Sequence, residues 1–324
     1  MASIIALGAQ AVSVVRQAIT SSKPEEPQSQ LSDTTTLEKN SKKYYLGYRT
    51  DDHNTPWGKH FKPIDTPLSA SFIDGCKKSP VAAELGVSIT KAPALLEQPG
   101  YLPLENGWTR LQDGTMYVCA LSDLPNVTGD MLDFWFYWHT NCASKYKLWN
   151  PDAHRYAWVE REKLTEDETR KKSFRERYWD TTSFVNEYIG NTEGKLSIGF
   201  FDPRKFGFRL ETPDSGIQTV VTAFVEPGRY TQIHPQKRAD AGPGGAAQAF
   251  KITIMHQLRK KPDGTGYEMR SRFWVGSMLA AGMKVLGTEP DQFGHDLAVH
   301  CHLEMTHLGK ILPAIYEEFK DDIC

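Results

Sequence analysis

Near the C-terminus, the run AVHCHLEMTHLGKIL places His300, Glu304 and His307 at i, i+4 and i+7. On a helix these side chains leave along one side, so the His300 imidazole and the Glu304 carboxylate can reach a single ion. Nitrogen and carboxylate oxygen together suit zinc, and also iron, nickel or manganese. Most His-x3-Glu pairs are only solvated helix neighbours worth a few tenths of a kcal/mol. A metal therefore needs ligands from elsewhere in the chain. The order is not the HExxH of zinc proteases, and no second Glu-x-x-His accompanies Glu304-x-x-His307 to build a di-iron bundle. His139, His154, Glu160 and Glu187 are the remaining candidates, and periodicity does not choose among them.

The elements that must position such ligands are partly readable. Residues 1–19 predict a short helix with Ile4, Ile5, Val12, Val15 and Ile19 available for burial, and residues 20–43 have the polar composition of a disordered linker. Together, 1–43 form a leading segment ahead of a small N-terminal subdomain at 44–115, where Pro and Gly break the chain into short pieces. The remainder, 116–324, is one larger domain. It opens on an aromatic stretch that includes Phe134-Trp135-Phe136-Tyr137-Trp138-His139 and runs on to Trp149 and Trp158. From about 195 the pattern becomes strand-like. Ile217–Val225 is apolar and β-branched, while Lys251–Arg259 and Tyr267–Val275 alternate around Pro262-Asp263-Gly264. This predicts a hairpin with one buried face, bearing Ile252, Ile254, His256 and Leu258. Helix follows from about Ser277 and over Asp296–Phe319.

Composition narrows the partners. With 38 basic and 40 acidic residues the formal net charge is -2, so neither nucleic acid nor an anionic membrane is expected. No apolar run reaches the ~18 residues of a membrane span, and the apolar N-terminus lacks the basic residues of a secretory signal. The five cysteines are scattered without a CxxC pair, which argues for a reducing, cytoplasmic setting.

Several ordered segments resemble 2,4-diacetylphloroglucinol hydrolase and phloretin hydrolase, a family of zinc enzymes that remove an acyl group from a phloroglucinol ring. They are Asp133–His139, Tyr146-x2-Trp149-x-Pro151-x2-His154, Val185–Gly190, Met269–Trp274 and Val299-His300-Cys301-x2-Glu304. The resemblance implies an α+β, Bet v1-like helix-grip domain, with a curved antiparallel sheet around a long C-terminal helix and a cavity between them. It also implies a metal set of His154, Glu187, His300 and Glu304 for Zn2+ or another divalent metal, and a substrate-binding, catalytic Tyr146. His256 aligns with a substrate-binding Tyr of the family, and His234 with an active-site His; both are candidate catalytic groups. Ala157 stands where the family has a substrate-contacting Asn. His139 becomes a packing or supporting residue.

The function implied is retro-Claisen deacylation, the hydrolysis of a carbon–carbon bond between an acyl group and a phenolic or polyketide ring. The alternatives are a metal-dependent tailoring enzyme of aromatic polyketides (cyclase, decarboxylase or isomerase) and a non-catalytic protein for a hydrophobic ligand. The partner expected is a small acylphenol or polyketide, with Trp138 among the aromatic residues suited to a flat ligand. A homodimer is compatible with this reading.

Overall fold

The computed structural model describes residues 47–161, 164–210, 216–227, 246–285 and 287–323. The helix expected over 1–19, the linker over 20–43 and His234 lie outside the described residues.

Among the described residues, eight strands form one antiparallel sheet in the order β1-β2-β8-β7-β6-β5-β4-β3. The strands are β1 (Gly107–Arg110), β2 (Met116–Asp123), β3 (His154–Glu160), β4 (Thr182–Ile189), β5 (Thr192–Phe201), β6 (Ile217–Pro227), β7 (Ile252–Lys260) and β8 (Tyr267–Val275). Helices α1 (Ala70–Lys78), α2 (Gly129–Trp138), α3 (Ala143–Trp149) and α4 (Pro290–Phe319) pack against this sheet. The α4 helix runs 30 residues, about 45 Å at 1.5 Å per residue, and packs against β1, β2 and β4. This is the expected α+β helix-grip arrangement.

Local chemistry explains the main boundaries. Pro290 sits in the first turn of α4, where its missing N–H costs nothing. Thr128 caps α2 by accepting from the Met131 amide. In the β7–β8 turn, Asp263 Oδ1 accepts from the Thr265 amide at 2.9 Å, and Gly264 takes φ +77°, a region costly for side-chain-bearing residues. The apolar stripe of α4, including Leu308, Ile311, Leu312 and Ile315, is buried in one core with Phe134, Trp135 and Trp138 of α2. Each such side chain contributes roughly 1.5–3 kcal/mol of transfer free energy.

Two expectations need correction. Strands begin well before 195: β1 to β4 all precede it, with β3 inside the stretch read only as aromatic-rich and β4 beyond it. The β7–β8 hairpin is also buried on both faces. Its outward Gln257, Arg259, Glu268, Arg270 and Arg272 are at most 2% exposed, because residues 81–111 and Phe201–Leu210 cover them with a second core around Leu96, Phe206 and Trp274. The charges are retained there by pairing. Glu105 bridges Arg270 and Arg272, and Glu268 holds Arg259 at 2.7 Å. Paired in this way, buried charges avoid the penalty of an isolated ion.

Candidate metal centre

Two short-range pairings build the centre. On the sheet, His154 and Glu187 are direct partners across the β3–β4 ladder, so their side chains share a face. A register shift between His154 and Tyr156 makes this possible. Ala157 lies opposite Val185 on the inner face, and strict alternation would then turn His154 outward. The extra residue, Arg155, turns it back in, as a β-bulge does. On α4, His300 and Glu304 meet as an i, i+4 pair, with His300 Nε2 3.2 Å from Glu304 Oε2.

The two pairs converge. His154 Nε2 is 3.3 Å from Glu304 Oε2 and 3.5 Å from Glu187 Oε2. The ligating atoms of His154, His300 and Glu304 all lie within 4.8 Å of one another. Glu187 stands at the margin of this trio, and its Oε2 also accepts the Tyr146 hydroxyl. Burial acts to raise the Glu304 carboxyl, but His300 and His154 beside it prevail and hold it at about 2.

Neighbouring groups fix how His154 is presented. Its ring stacks on Tyr146 at 3.7 Å and 5°, and its Nδ1 is 3.0 Å from the Tyr146 carbonyl. A carbonyl only accepts, so Nδ1 carries a proton, and Nε2 is the nitrogen turned toward the two carboxylates. That buried Nε2 has no hydrogen-bond partner among the described residues, although two carboxylates face it. A ring nitrogen beside two carboxylates fits a shared cation, and a second nitrogen anchored on a carbonyl is the usual support of a ligating histidine. The donor set therefore fits a divalent metal. Behind it, Trp149 Nε1 donates to the Glu304 carbonyl at 3.1 Å.

A cavity opens from the centre between sheet and helix. Tyr146, Glu187, His256, His300 and Glu304 line it, as do His139, Phe136, Trp149 and an aliphatic wall from β4 to β7. His256 contacts Ser271 Oγ through Nδ1 at 2.8 Å, and burial lowers its pKa to about 4, leaving the ring neutral at pH 7. Burial likewise brings His139 to about 3; its Nδ1 donates to the Trp135 carbonyl at 2.6 Å.

Other expected residues lie elsewhere. Trp138 is packed between Trp57, Phe134 and Phe319 and is not part of the cavity wall, and neither is Ala157. Trp158 stacks on Phe184 with 46% of its surface exposed. His307 is buried outside the trio, and His302 stacks on Phe72 at 4.2 Å. Ile252 and Ile254 of the aliphatic wall lie on the face expected to be buried, and Val221 and Val225 on the strand expected over Ile217–Val225. Its β4 part, Ser183 included, gave no signal, because β4 carries no clean alternation in its letters.

Comparison with known proteins gives a consistent set of relatives. Residues 87–317 match the family model described as the DAPG hydrolase PhiG domain. A 2,4-diacetylphloroglucinol hydrolase from Pseudomonas protegens is 28% identical over 297 residues, covering 86% of this chain and 89% of the relative. Another, from Pseudomonas sp, is 28% identical over 296 residues, covering 86% and 92%. The phloretin hydrolase of Eubacterium ramulus is 24% identical over 283 residues, covering 85% and 94%. Among solved structures, Ara h 8.0201 overlays 57% of this chain and 97% of its own at 9% identity and a TM-score of 0.24, too low to bear on the argument.

Proposed function

The chain belongs to the DAPG hydrolase family, and from that premise we propose that it hydrolyses the carbon–carbon bond joining an acyl group to a phenolic ring, at a zinc or similar divalent centre. The observation carrying the metal part is the buried Nε2 of His154, turned toward Glu187 and Glu304 without a hydrogen-bond partner among the described residues. His154, His300 and Glu304 would hold the ion, with Glu187 as the fourth group. A divalent ion so held supplies Lewis acidity toward oxygen.

The reaction consumes one water. Its hydroxyl goes to the acyl carbon, giving a carboxylic acid, and its proton goes to the ring carbon, which leaves with the bonding pair as a phenol. The aliphatic wall would give the ring apolar surroundings. Tyr146 and the neutral His256, both on the cavity wall, are the groups to hold phenolic oxygens or pass the ring proton. His234 belongs to the same set only through the resemblance.

The test is metal analysis of the purified full chain together with incubation on 2,4-diacetylphloroglucinol and other acylphenols. One equivalent of divalent metal and one released carboxylic acid per turnover are expected. No stoichiometric metal, or turnover without released acid, overturns the reading.

A further inference from the structure

The polar groups of the cavity wall gather at the metal centre and its histidines, with one exception. Ser183 lies on β4, on the same face as Val185 and Glu187. Its neighbour across β5 is Ile198, which pairs with Val225 on β6, which pairs with Ile252 on β7. Ser183 is thus one hydroxyl in a row of aliphatic side chains. It is 1% exposed, and its Oγ has no hydrogen-bond partner among the described residues.

A buried hydroxyl without a partner weakens a fold, and alanine at the same place would relieve the penalty. Nothing in the packing asks for serine here, since the neighbours in the row are branched aliphatics. The hydroxyl becomes useful once something polar enters the cavity. Four residues of strand separate Ser183 from Glu187, about 13 Å at 3.3 Å per residue. A ligand spanning that length must be apolar along its body, because the wall between is apolar, and must present an oxygen at its far end.

We propose that Ser183 is a specificity-determining residue whose hydroxyl hydrogen-bonds a terminal oxygen, hydroxyl or carbonyl, on the apolar arm of an elongated acylphenol. The proposal rests on the hydrolase reading for the substrate's reactive end and adds the chemistry of its distant end.

The experiment uses paired acylphenols that differ only at the tip of the acyl arm, one ending in a hydroxyl and the other in hydrogen. The ratio of their kcat/KM values is compared in the wild type, Ser183→Ala and Ser183→Thr. A site built to hydrogen-bond an oxygen discriminates against the analogue lacking it. The wild-type ratio is expected to favour the hydroxylated arm and to fall about tenfold in Ser183→Ala. Ser183→Thr, which keeps the hydroxyl, restores most of it. A thermal midpoint unchanged or raised in Ser183→Ala accompanies this result, whereas a structural serine would lower it. A ratio that is the same in wild type and Ser183→Ala overturns the proposal. If the wild type cleaves neither compound, the hydrolase reading fails. The ratio of their dissociation constants, followed by tryptophan fluorescence, then tests Ser183 independently by the same criterion.

Discussion

His154 and Glu187 oppose each other as direct partners across β3 and β4, and the bulge that absorbs Arg155 keeps His154 on the cavity face. Each half of the centre is therefore fixed locally, one by ladder register and the other by helical pitch. Deleting Arg155 leaves a regular ladder in which Tyr156 opposes Asn186 and His154 still opposes Glu187, so the variant is expected to keep stoichiometric metal. Inserting one further residue after Arg155 should instead turn His154 out of the cavity and abolish it. Metal content and far-UV circular dichroism of the two variants decide this, and metal lost on deletion from a sheet that still folds would disprove the role given to the bulge.

Glu304 touches both imidazoles through one oxygen. Glu304→Ala is expected to lower divalent-metal affinity by more than the 10–100-fold typical of supporting residues. Chelation of the wild type should abolish acid release in the same way. Full activity in either case would rule out a metal-dependent reaction.

Tyr146 braces two ligands, stacking on His154 and donating to Glu187. Tyr146→Phe keeps the stack and removes the donor. A loss of about 10–100-fold in metal affinity or kcat is expected, with the thermal midpoint little changed. Wild-type values for both would show that the hydroxyl has no part in the centre.

Gly190 turns the β4–β5 hairpin at φ +59°. A Cβ there would come within 2.2 Å of Asp296 Oδ2 on α4. Gly190→Ala combines a positive-φ penalty of about 1 kcal/mol with a push between hairpin and helix, the two bodies that carry the ligands. Metal affinity is expected to fall more than global stability does, as read by titration and urea unfolding side by side.

Two buried carboxyls give opposite pH signatures. Burial acts to raise Glu105, yet Arg272 and Arg270 bring it down to about 2 from 4.5. Its contribution is present above pH 4.5 and is lost as pH falls toward 2, about 3 kcal/mol in all. Burial raises Asp133 to about 6 from 3.8, against Arg175, Thr219 and Tyr178. That contribution is present below pH 3.8 and is lost as pH rises through 6. Relative to wild type, Asp133→Asn should therefore gain up to about 3 kcal/mol between pH 4 and 7. Glu105→Gln should cost about 3–5 kcal/mol at pH 7 by stranding buried arginines. Urea unfolding across pH checks both, and a flat wild-type-minus-variant difference would contradict either.

The helical half of the centre was legible because His300 and Glu304 need only a 3.6-residue pitch to meet. The β7–β8 hairpin was legible because its alternation brackets an Asp-Gly turn. The sheet half was not: a bulge leaves no letter in the sequence, and β4 is buried throughout, so Asn186 and Glu187 gave it no amphipathic pattern. His154 and Glu187 stood among four candidates with His139 and Glu160, and resemblance alone chose them. The outer face of β7 and β8 misled for a different reason. Arginine and glutamate facing one way look solvent-directed until their partners, Glu105 above all, are seen to come from a distant part of the chain.

That enclosed outer face bears on how freely the sequence can vary. A sheet wet on one side accepts substitutions at every second residue of a strand. Along β7 and β8 the tolerant positions are missing, since an outward change at Gln257 or Arg272 disturbs a packed, charge-compensated layer as surely as an inward one disturbs the cavity. A saturation scan of these strands should show intolerance without period, relaxed from the exposed Lys260 through the Asp263–Thr265 turn. Drift toward new ligands is then left mainly to the cavity positions of β4, β5 and β6.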